Sequence, residues 1–571
     1  MEAPILQIND LSISFRVDGQ EVAAVNSVTF AIHKSEILAI VGESGSGKSV
    51  CSLCIMGLLP KPPAIIKSGE IIFAGKQNLL KISAKEFAGL RGNDIAMIFQ
   101  EPMTSLNPLM SCGKQVAEAF ILHKNISWQE AKQKTIALFT EVKIPNPEAA
   151  FHKYPHEMSG GQKQRVMIAM ALSCEPKLLI ADEPTTALDV TVQKEIIELL
   201  KEIQQRRGTA IIFITHDLAI VKNIADSVIV MYKGQIVEQG STKTIFENAQ
   251  HNYTKALIEC RPTITQRMKT LPTISDYLIA DNENIFLANV ETKEQFLERQ
   301  QYIQQQPIIL AINNAAVKYP TKKNIFGKAL DFFTAMQHIN LQVHQGETIG
   351  IVGESGCGKT TLGKAIVKLN KLSQGEIIYN GKNIFTQWDI TYHQQVQIIF
   401  QDPYSSLNPR MTIGKAIQEP MEVHGIGMAT ERKKNVVALL QKVGLLPEHY
   451  DRYPHEFSGG QRQRVCIARA LAMQPKVIIC DESVSALDVS VQAQVLNLLS
   501  ALRHEFGLTL LFISHDMNVI RHLSDRIIVM QNGEIVEEGD AYMLFSAPQN
   551  NYTKMLLASV PQYTMQCMPF F

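Results

Sequence analysis

The chain has 571 residues, 46% of them hydrophobic and 19% charged, with 55 basic and 55 acidic side chains. That length exceeds what one hydrophobic core fills, so two domains are expected. The zero formal balance argues against a protein held mainly by nucleic-acid phosphates, and no nucleic-acid partner is expected.

No apolar run approaches the roughly 20 residues of a membrane-crossing helix. The opening residues, Met1-Glu2-Ala3-Pro4-Ile5-Leu6, lack the basic and apolar regions of a secretory leader. The expectation is a soluble chain that reaches a membrane only by docking onto other proteins. The cysteines, at 51, 54, 112, 174, 260, 357, 466, 480 and 567, are scattered. Cys51 and Cys54 form a C-x-x-C with neither a second pair nor a neighbouring histidine, so reduced, packed thiols are expected and zinc is not.

In chain order, Ile37–Val41 is a buried-strand candidate running into Gly42-Glu43-Ser44-Gly45-Ser46-Gly47-Lys48-Ser49. Gln100 follows Ile-Phe and precedes an acidic-Pro pair. Residues 112–153 are rich in helix formers and suggest a small helical subdomain. Ser159-Gly160-Gly161-Gln162 precedes another helical stretch, the apolar strand Leu178–Ala181 ends at Asp182-Glu183, and Ala210–Ile214 ends near His216.

The same train then repeats. Thr348–Val352 runs into Gly353-Glu354-Ser355-Gly356-Cys357-Gly358-Lys359-Thr360. After it come Gln401, a helix-rich 413–452, Ser458-Gly459-Gly460-Gln461, a strand Val477–Cys480 ending at Asp481-Glu482, and a strand Thr509–Ile513 ending near His515. Lys48 and Lys359 lie 311 residues apart, Gln100 and Gln401 301, and His216 and His515 299. Such a period is domain duplication rather than a solenoid repeat. The expected fold is α/β: two tandem P-loop nucleotide-binding domains, each with a largely parallel sheet and a helical subdomain. The boundaries are 1–262 and 307–571, with 263–306 a linker that belongs to neither repeat, of which 292–301 could be helical.

Each motif has its chemistry. In G-x-x-x-x-G-K-[ST] after a strand, glycines let backbone N–H groups point at phosphate oxygens, and the next helix adds its positive N-terminus. Lys48 and Lys359 would reach the β and γ phosphates, and Ser49 and Thr360 would offer a hydroxyl to Mg²⁺. Asp182 and Asp481 would hold the metal, partly through water, and Glu183 and Glu482 would activate the attacking water. Gln100 and Gln401 would touch Mg²⁺ or that water, and His216 and His515 the γ phosphate. A serine followed by two glycines before a helix is a second anion-binding terminus, which calls for a phosphate supplied from elsewhere.

With Met158-Ser159-Gly160-Gly161-Gln162 and Phe457-Ser458-Gly459-Gly460-Gln461, both halves resemble the ATP-binding cassettes of ABC transporters. In that family two cassettes meet head to tail, and the resemblance implies that Ser159–Gln162 and Ser458–Gln461 each complete the site of the other P-loop. Asp189 and Asp488 match the family's D-loop, and Phe15 and Tyr319 the aromatic that stacks on adenine. Longer strings, Gln100-Glu-Pro-Met-Thr-Ser-Leu-Asn-Pro108 and Gln401-Asp-Pro-Tyr-Ser-Ser-Leu-Asn-Pro409, resemble the dipeptide, oligopeptide and nickel importer group. That likeness implies an ATPase with ATP and Mg²⁺, peripheral on the cytoplasmic face of a bacterial inner membrane. It implies as partners two transmembrane permease subunits and, indirectly, an extracytoplasmic substrate-binding protein, with peptides the favoured cargo. Members that carry a cysteine cluster after each cassette hold an iron–sulfur centre; here Cys260 and Cys567 stand alone on short tails, and no cluster is expected. The rival reading is a soluble twin-cassette ATPase acting on ribosomes or DNA, against which stand the mildly charged linker and the lack of zinc-binding cysteine sets.

Overall fold

The computed structural model of the chain describes residues 3–17, 19–101, 105–186, 188–263, 267–279, 289–323, 329–387, 389–485 and 487–560. Two compact units result. One comprises residues 1–188, 192–259 and 274–279; the other comprises 189–191, 260–273 and 280–571.

In the first unit a six-stranded sheet runs in the order Gln235–Ser241, Ser227–Tyr232, Ile37–Val41, Ala210–Thr215, Leu178–Asp182, Ile95–Ile98. All neighbours are parallel except the first pair. Strands buried on both faces read as continuous apolar runs, which is why these are legible as Ile-Leu-Ala-Ile-Val or Leu-Leu-Ile-Ala. Alternation then splits each strand between two cores. Leu38, Ile40, Leu178, Ile180, Ile212 and Ile214 face a four-stranded antiparallel sheet and the helix Lys48–Ile55. Ile37, Leu179, Ala181, Ile211 and Phe213 face the helical subdomain. Each fully buried Leu or Ile contributes on the order of 1.5–3 kcal/mol, so a one-residue slip of any strand would exchange the two cores and is strongly disfavoured.

The second unit repeats this plan. Its six-stranded sheet runs Val396–Ile399, Val477–Asp481, Thr509–Ile513, Thr348–Val352, Arg526–Gln531, Glu534–Asp540. The same alternation sets Ile478, Cys480, Leu510 and Phe512 against the helical side and Val477, Ile479, Leu511 and Ile513 against the antiparallel side.

The helix-rich stretches form helices Cys112–Lys124, Trp128–Glu141 and Pro147–His152 in one unit, and Ile413–Val423 and Ala429–Lys442 in the other. No helix among the described residues is long and apolar enough to cross a membrane.

The segment read as a linker is more built than its composition suggests. Thr292 and Gln295 make a reciprocal capping box that starts the helix Lys293–Gln304. Within the second unit, Asn497 clamps the backbone of Leu271 through two amide hydrogen bonds of 2.8 Å. Phe296, 4% exposed, lies between the guanidiniums of Arg267 and Arg299, each 5.3 Å from its ring. Residues 280–288, 324–328 and Cys567 lie outside the described residues.

Candidate functional site

Parallel register decides where the chemistry emerges. Val41 pairs with Thr215 and Asp182 with Ile214, so three adjacent strands deliver the P-loop, the acidic pair and the histidine at one sheet edge. That is the carboxyl edge, where open α/β sheets bind ligands.

Gly47 caps the helix Lys48–Ile55 with φ of 101°, in the left-handed region, and a Cβ there would sit 2.7 Å from the Ala24 carbonyl oxygen. Gly358 has φ of 106° and the same 2.7 Å approach to Ala335. Only glycine fits both demands. Lys48 Nζ, buried, donates to the carbonyls of Gly42 (2.7 Å) and Glu43 (2.8 Å); Lys359 Nζ donates to those of Gly353 (2.8 Å) and Glu354 (2.9 Å). The loop thus wraps its own lysine and keeps a buried positive charge beside a helix N-terminus, a cradle suited to phosphate.

Ser49 Oγ donates to Asp182 Oδ1 at 3.2 Å, and Thr360 Oγ1 to Asp481 Oδ1 at 2.9 Å. Burial pushes both aspartates above their usual value, against the pull of those hydroxyls and of the P-loop lysines. A carboxylate raised by burial and set beside a hydroxyl gains from a divalent cation, and the all-oxygen donor set fits Mg²⁺.

Glu183 and Glu482 each adopt φ of 47°, a left-handed conformation rare for a residue with a Cβ. Such strain, of order 1–3 kcal/mol, persists only where surroundings over-determine it. Here the backbone N–H of Glu183 donates to Ile214 (2.9 Å) and that of Glu482 to Ile513 (3.0 Å). The Glu183 carboxylate then accepts from Gln100 Nε2 at 3.0 Å and Thr186 Oγ1 at 2.9 Å, with His216 Nδ1 at 3.3 Å. Glu482 accepts from Gln401 Nε2 at 2.9 Å, with His515 Nδ1 at 3.5 Å. Burial pushes both glutamates up, but the histidine contacts, joined by Thr186 and Lys48 in the first half and by Lys359 in the second, outweigh it and leave them below the ordinary value. Burial likewise pushes His515 down, and the Glu482 carboxylate more than reverses that. Glutamine, glutamate and histidine, spread over 116 residues in the first half (216 − 100) and 114 in the second (515 − 401), thus converge on one carboxylate.

Ser159 and Ser458 cap the helices Gly160–Leu172 and Gly459–Leu471, each in a capping box with Gln162 or Gln461. A Cβ on Gly161 would meet Val192 Cγ1 at 2.7 Å, and one on Gly460 would meet Val491 Cγ1 at 2.1 Å. Asp488 caps the helix Val489–Phe506, and Asp189 precedes Val190–Arg207. Phe15 packs partly buried in the antiparallel sheet, whereas Tyr319 is 39% exposed on the corresponding strand. Cys51 and Cys54 are free thiols buried on the P-loop helix, and Cys260 is a third buried thiol.

Sequence reasoning missed a tyrosine in each half. The backbone N–H of Glu43, inside the first P-loop, donates to Tyr253 Oη at 3.0 Å, and that of Glu354 to Tyr552 Oη at 2.9 Å. The signal was present: Asn252-Tyr253-Thr254-Lys255 recurs as Asn551-Tyr552-Thr553-Lys554 with the same 299-residue spacing as the histidines. Neither copy looks like a nucleotide motif, because the hydroxyl serves the loop's backbone rather than a ligand.

Comparison with known proteins agrees with this geometry. The ABC transporter family matches residues 25–186 and 336–485. The family described as the oligopeptide/dipeptide transporter C-terminal region matches 237–284 and 536–566, spanning both tyrosines and reaching into the segment assigned above to neither repeat. The glutathione import ATP-binding protein GsiA of Salmonella choleraesuis is 46% identical over 98% of this chain and 89% of its own length. The protein of that name from Escherichia coli O6:H1 is 45% identical over the same shares. With both cassettes matched and the likeness running nearly end to end, the chain belongs to the ABC transporter family, as an ATP-hydrolysing subunit of an importer that carries two ATP-binding cassettes in one polypeptide.

Proposed function

We propose that the protein powers uptake of small peptides, glutathione among them, from the cytoplasmic face of a bacterial inner membrane. One observation carries the reading: a complete glutamine–glutamate–histidine group beside each P-loop, in a chain 46% identical to a glutathione import ATP-binding protein. No feature of the relatives favours work on ribosomes or DNA, and no nucleic-acid partner is part of the proposal. The cassettes would be 1–262 and 307–571, flanking the 263–306 linker.

In each half the P-loop N–H groups and Lys48 or Lys359 hold the phosphates of ATP, and Phe15 or Tyr319 stacks on the adenine. Glu183 or Glu482 takes a proton from water as its oxygen bonds to the γ phosphorus and the bond to the β-phosphate oxygen breaks. Gln100 or Gln401 orients that water, and His216 or His515 contacts the γ phosphate while holding the glutamate ionised. Ser49, Asp182 and Gln100, or Thr360, Asp481 and Gln401, would hold Mg²⁺, which when bound neutralises charge on the β and γ oxygens. Ser159 and Ser458 offer capped helix N-termini for further phosphate contacts.

Two permease subunits would receive the resulting motion, with an extracytoplasmic binding protein delivering cargo. Co-purification from native membranes followed by reconstitution tests this. Two multi-span partners, and ATP hydrolysis stimulated by glutathione or a dipeptide with the binding protein, are expected. Ribosomal or DNA-repair partners without a permease would sink the transport reading, and stimulation by nickel alone would overturn the peptide cargo.

A further inference from the structure

On the second unit the linker closes a cavity of about 340 Å³, lined by Arg267, Lys269, Glu291 and Arg299 from its own length and by Thr348 and Arg503 from the cassette. The ion pairs around it do not balance. Arg267 and Arg299 share Glu291, at 3.0 Å (Nε to Oε2) and 2.8 Å (Nη1 to Oε1). Arg299 and Arg503 share Asp525, at 3.1 and 2.6 Å, and that aspartate is wholly buried. With the exposed Lys269, four cations meet two carboxylates among the described residues, an excess there of two positive charges.

The neighbouring groups register that field. Burial and the nearby Arg267 push His522 down to about 3, and burial with Arg503 and Arg299 lowers His504. Both shifts favour the neutral imidazole, so neither ring adds to the excess. Thr348, a wholly buried residue of the cavity wall, has its Oγ1 without a hydrogen-bond partner among the described residues. A buried hydroxyl left this way is costly unless something else supplies an acceptor or a donor.

The first cassette shows that the cations are not needed to build the fold. There Asp226 Oδ2 accepts from the backbone of Ile37 at 2.8 Å, as Asp525 Oδ2 accepts from Thr348 at 2.8 Å. By the 299-residue register of these helices, Gln204, Gln205 and Asn223 stand where the second cassette has Arg503, His504 and His522. At the start of the P-loop strand, Ile37 stands for Thr348. The strand is anchored equally well without an arginine, so the basic set is an addition confined to one half.

We propose that this cavity binds a small doubly charged oxyanion, a phosphate monoester or a dicarboxylate, which neutralises the two cations left over by Arg267, Lys269, Arg299 and Arg503. Guanidinium forks match the oxygen geometry of both groups, and Phe296 holds two of those forks in place. The volume lies at the small end of ligand pockets, about 300–1,000 Å³. The site is separate from the nucleotide chemistry and does not depend on the transport reading.

The test uses the full chain with Lys48→Ala and Lys359→Ala, which silence the two P-loops as phosphate sites. Calorimetric titration with inorganic phosphate and, separately, with succinate is expected to saturate near one site per chain for at least one of them, with affinity falling as salt rises. Lys269→Glu, on an exposed residue, should weaken that binding about tenfold or more, and Ser500→Glu at the cavity wall should do the same. Saturation by phosphate or by succinate alone would identify the ligand chemistry. No saturation by either, or binding that survives unchanged in both variants, would overturn the proposal.

Discussion

The two glutamine–glutamate–histidine groups differ less in themselves than in what holds them. Gln–Glu contacts of 3.0 and 2.9 Å, and His–Glu contacts of 3.3 and 3.5 Å, are the same constellation twice. Around them the halves diverge. In the first, Thr186 Oγ1 donates to the Glu183 carboxylate itself at 2.9 Å; in the second, Ser485 Oγ donates to the backbone carbonyl of Glu482 at 2.9 Å. Ser46 becomes Cys357, Ser49 becomes Thr360, and the linker's basic cavity lies on the second cassette. The positions proposed to touch phosphate and water match between the halves while their supports differ, so variants of the supports should separate the halves and variants of the centre should not.

The largest expected effect tests the sameness. Glu183→Gln and Glu482→Gln, made separately, should each lower phosphate release from the altered half by about 100-fold or more, the scale of a lost general base. An unchanged rate in either variant would break the equivalence of the centres and leave that glutamate without the role assigned to it.

Next in size is the split between supports. Both glutamates sit below the ordinary carboxyl value of 4.5 because the histidine contacts, helped by Thr186 and Lys48 at Glu183 and by Lys359 at Glu482, overrule burial. Their contribution to stability is therefore present above 4.5 and lost as pH falls through the lowered value in the folded protein. His515, raised above 6.5, contributes stability below 6.5 that is lost as pH rises through its raised value. Thr186→Val removes one donor from Glu183 and should move the acid limb of the pH–rate profile to higher pH while lowering the rate about tenfold or more, the worth of one hydrogen bond to a charged group. Ser485→Ala should leave that limb in place, and equal shifts from both changes would contradict the difference in hydrogen bonding.

Much of this was legible before any coordinates, for a physical reason. Phosphate loops need glycine at positions such as Gly47 and Gly358, and doubly buried strands need unbroken apolar runs, so both leave a local mark. The convergence of Gln100, Glu183 and His216 was readable only because the train recurs; a single copy of each is an ordinary polar residue. What stayed hidden acts through tertiary contact. Tyr253 and Tyr552 reach the P-loop from more than 190 residues away, and the linker's arginines look like surface charge until Asp525 and Glu291 are placed beside them. The strain at Glu183 and Glu482 leaves no mark either, since nothing in an Asp-Glu dipeptide announces a positive φ.

Those tyrosines give a smaller effect that should be alike in both halves. Tyr253→Phe and Tyr552→Phe remove the acceptor of a P-loop N–H, and a net hydrogen bond is worth about 0.5–1.5 kcal/mol. ATP affinity of the altered half, followed with a fluorescent nucleotide, should weaken roughly 2- to 10-fold, with little loss at saturating ATP. A fall in the saturated rate with unchanged affinity would mean that the hydroxyl serves chemistry rather than loop geometry.

The smallest expected effect lies inside the second P-loop. Cys357 Sγ is 3.7 Å from Lys359 Nζ, where the first loop has Ser46 Oγ at 3.4 Å from Lys48 Nζ. Both side chains fill the space under the opening glycine, within 2.7–2.8 Å of where a Cβ on Gly353 or Gly42 would stand. The sulfur is therefore packing rather than chemistry, and burial pushes its thiol up despite the adjacent ammonium, which keeps the reactive thiolate scarce at pH 7. Cys357→Ser should change the ATPase rate less than about twofold, because the serine repeats an arrangement the chain already uses. Slow inactivation by a thiol reagent should disappear in that variant and be prevented by ATP in the parent. Rapid inactivation at neutral pH would show instead that the lysine holds the sulfur as thiolate, and the two P-loops would then differ in reactivity as well as in packing.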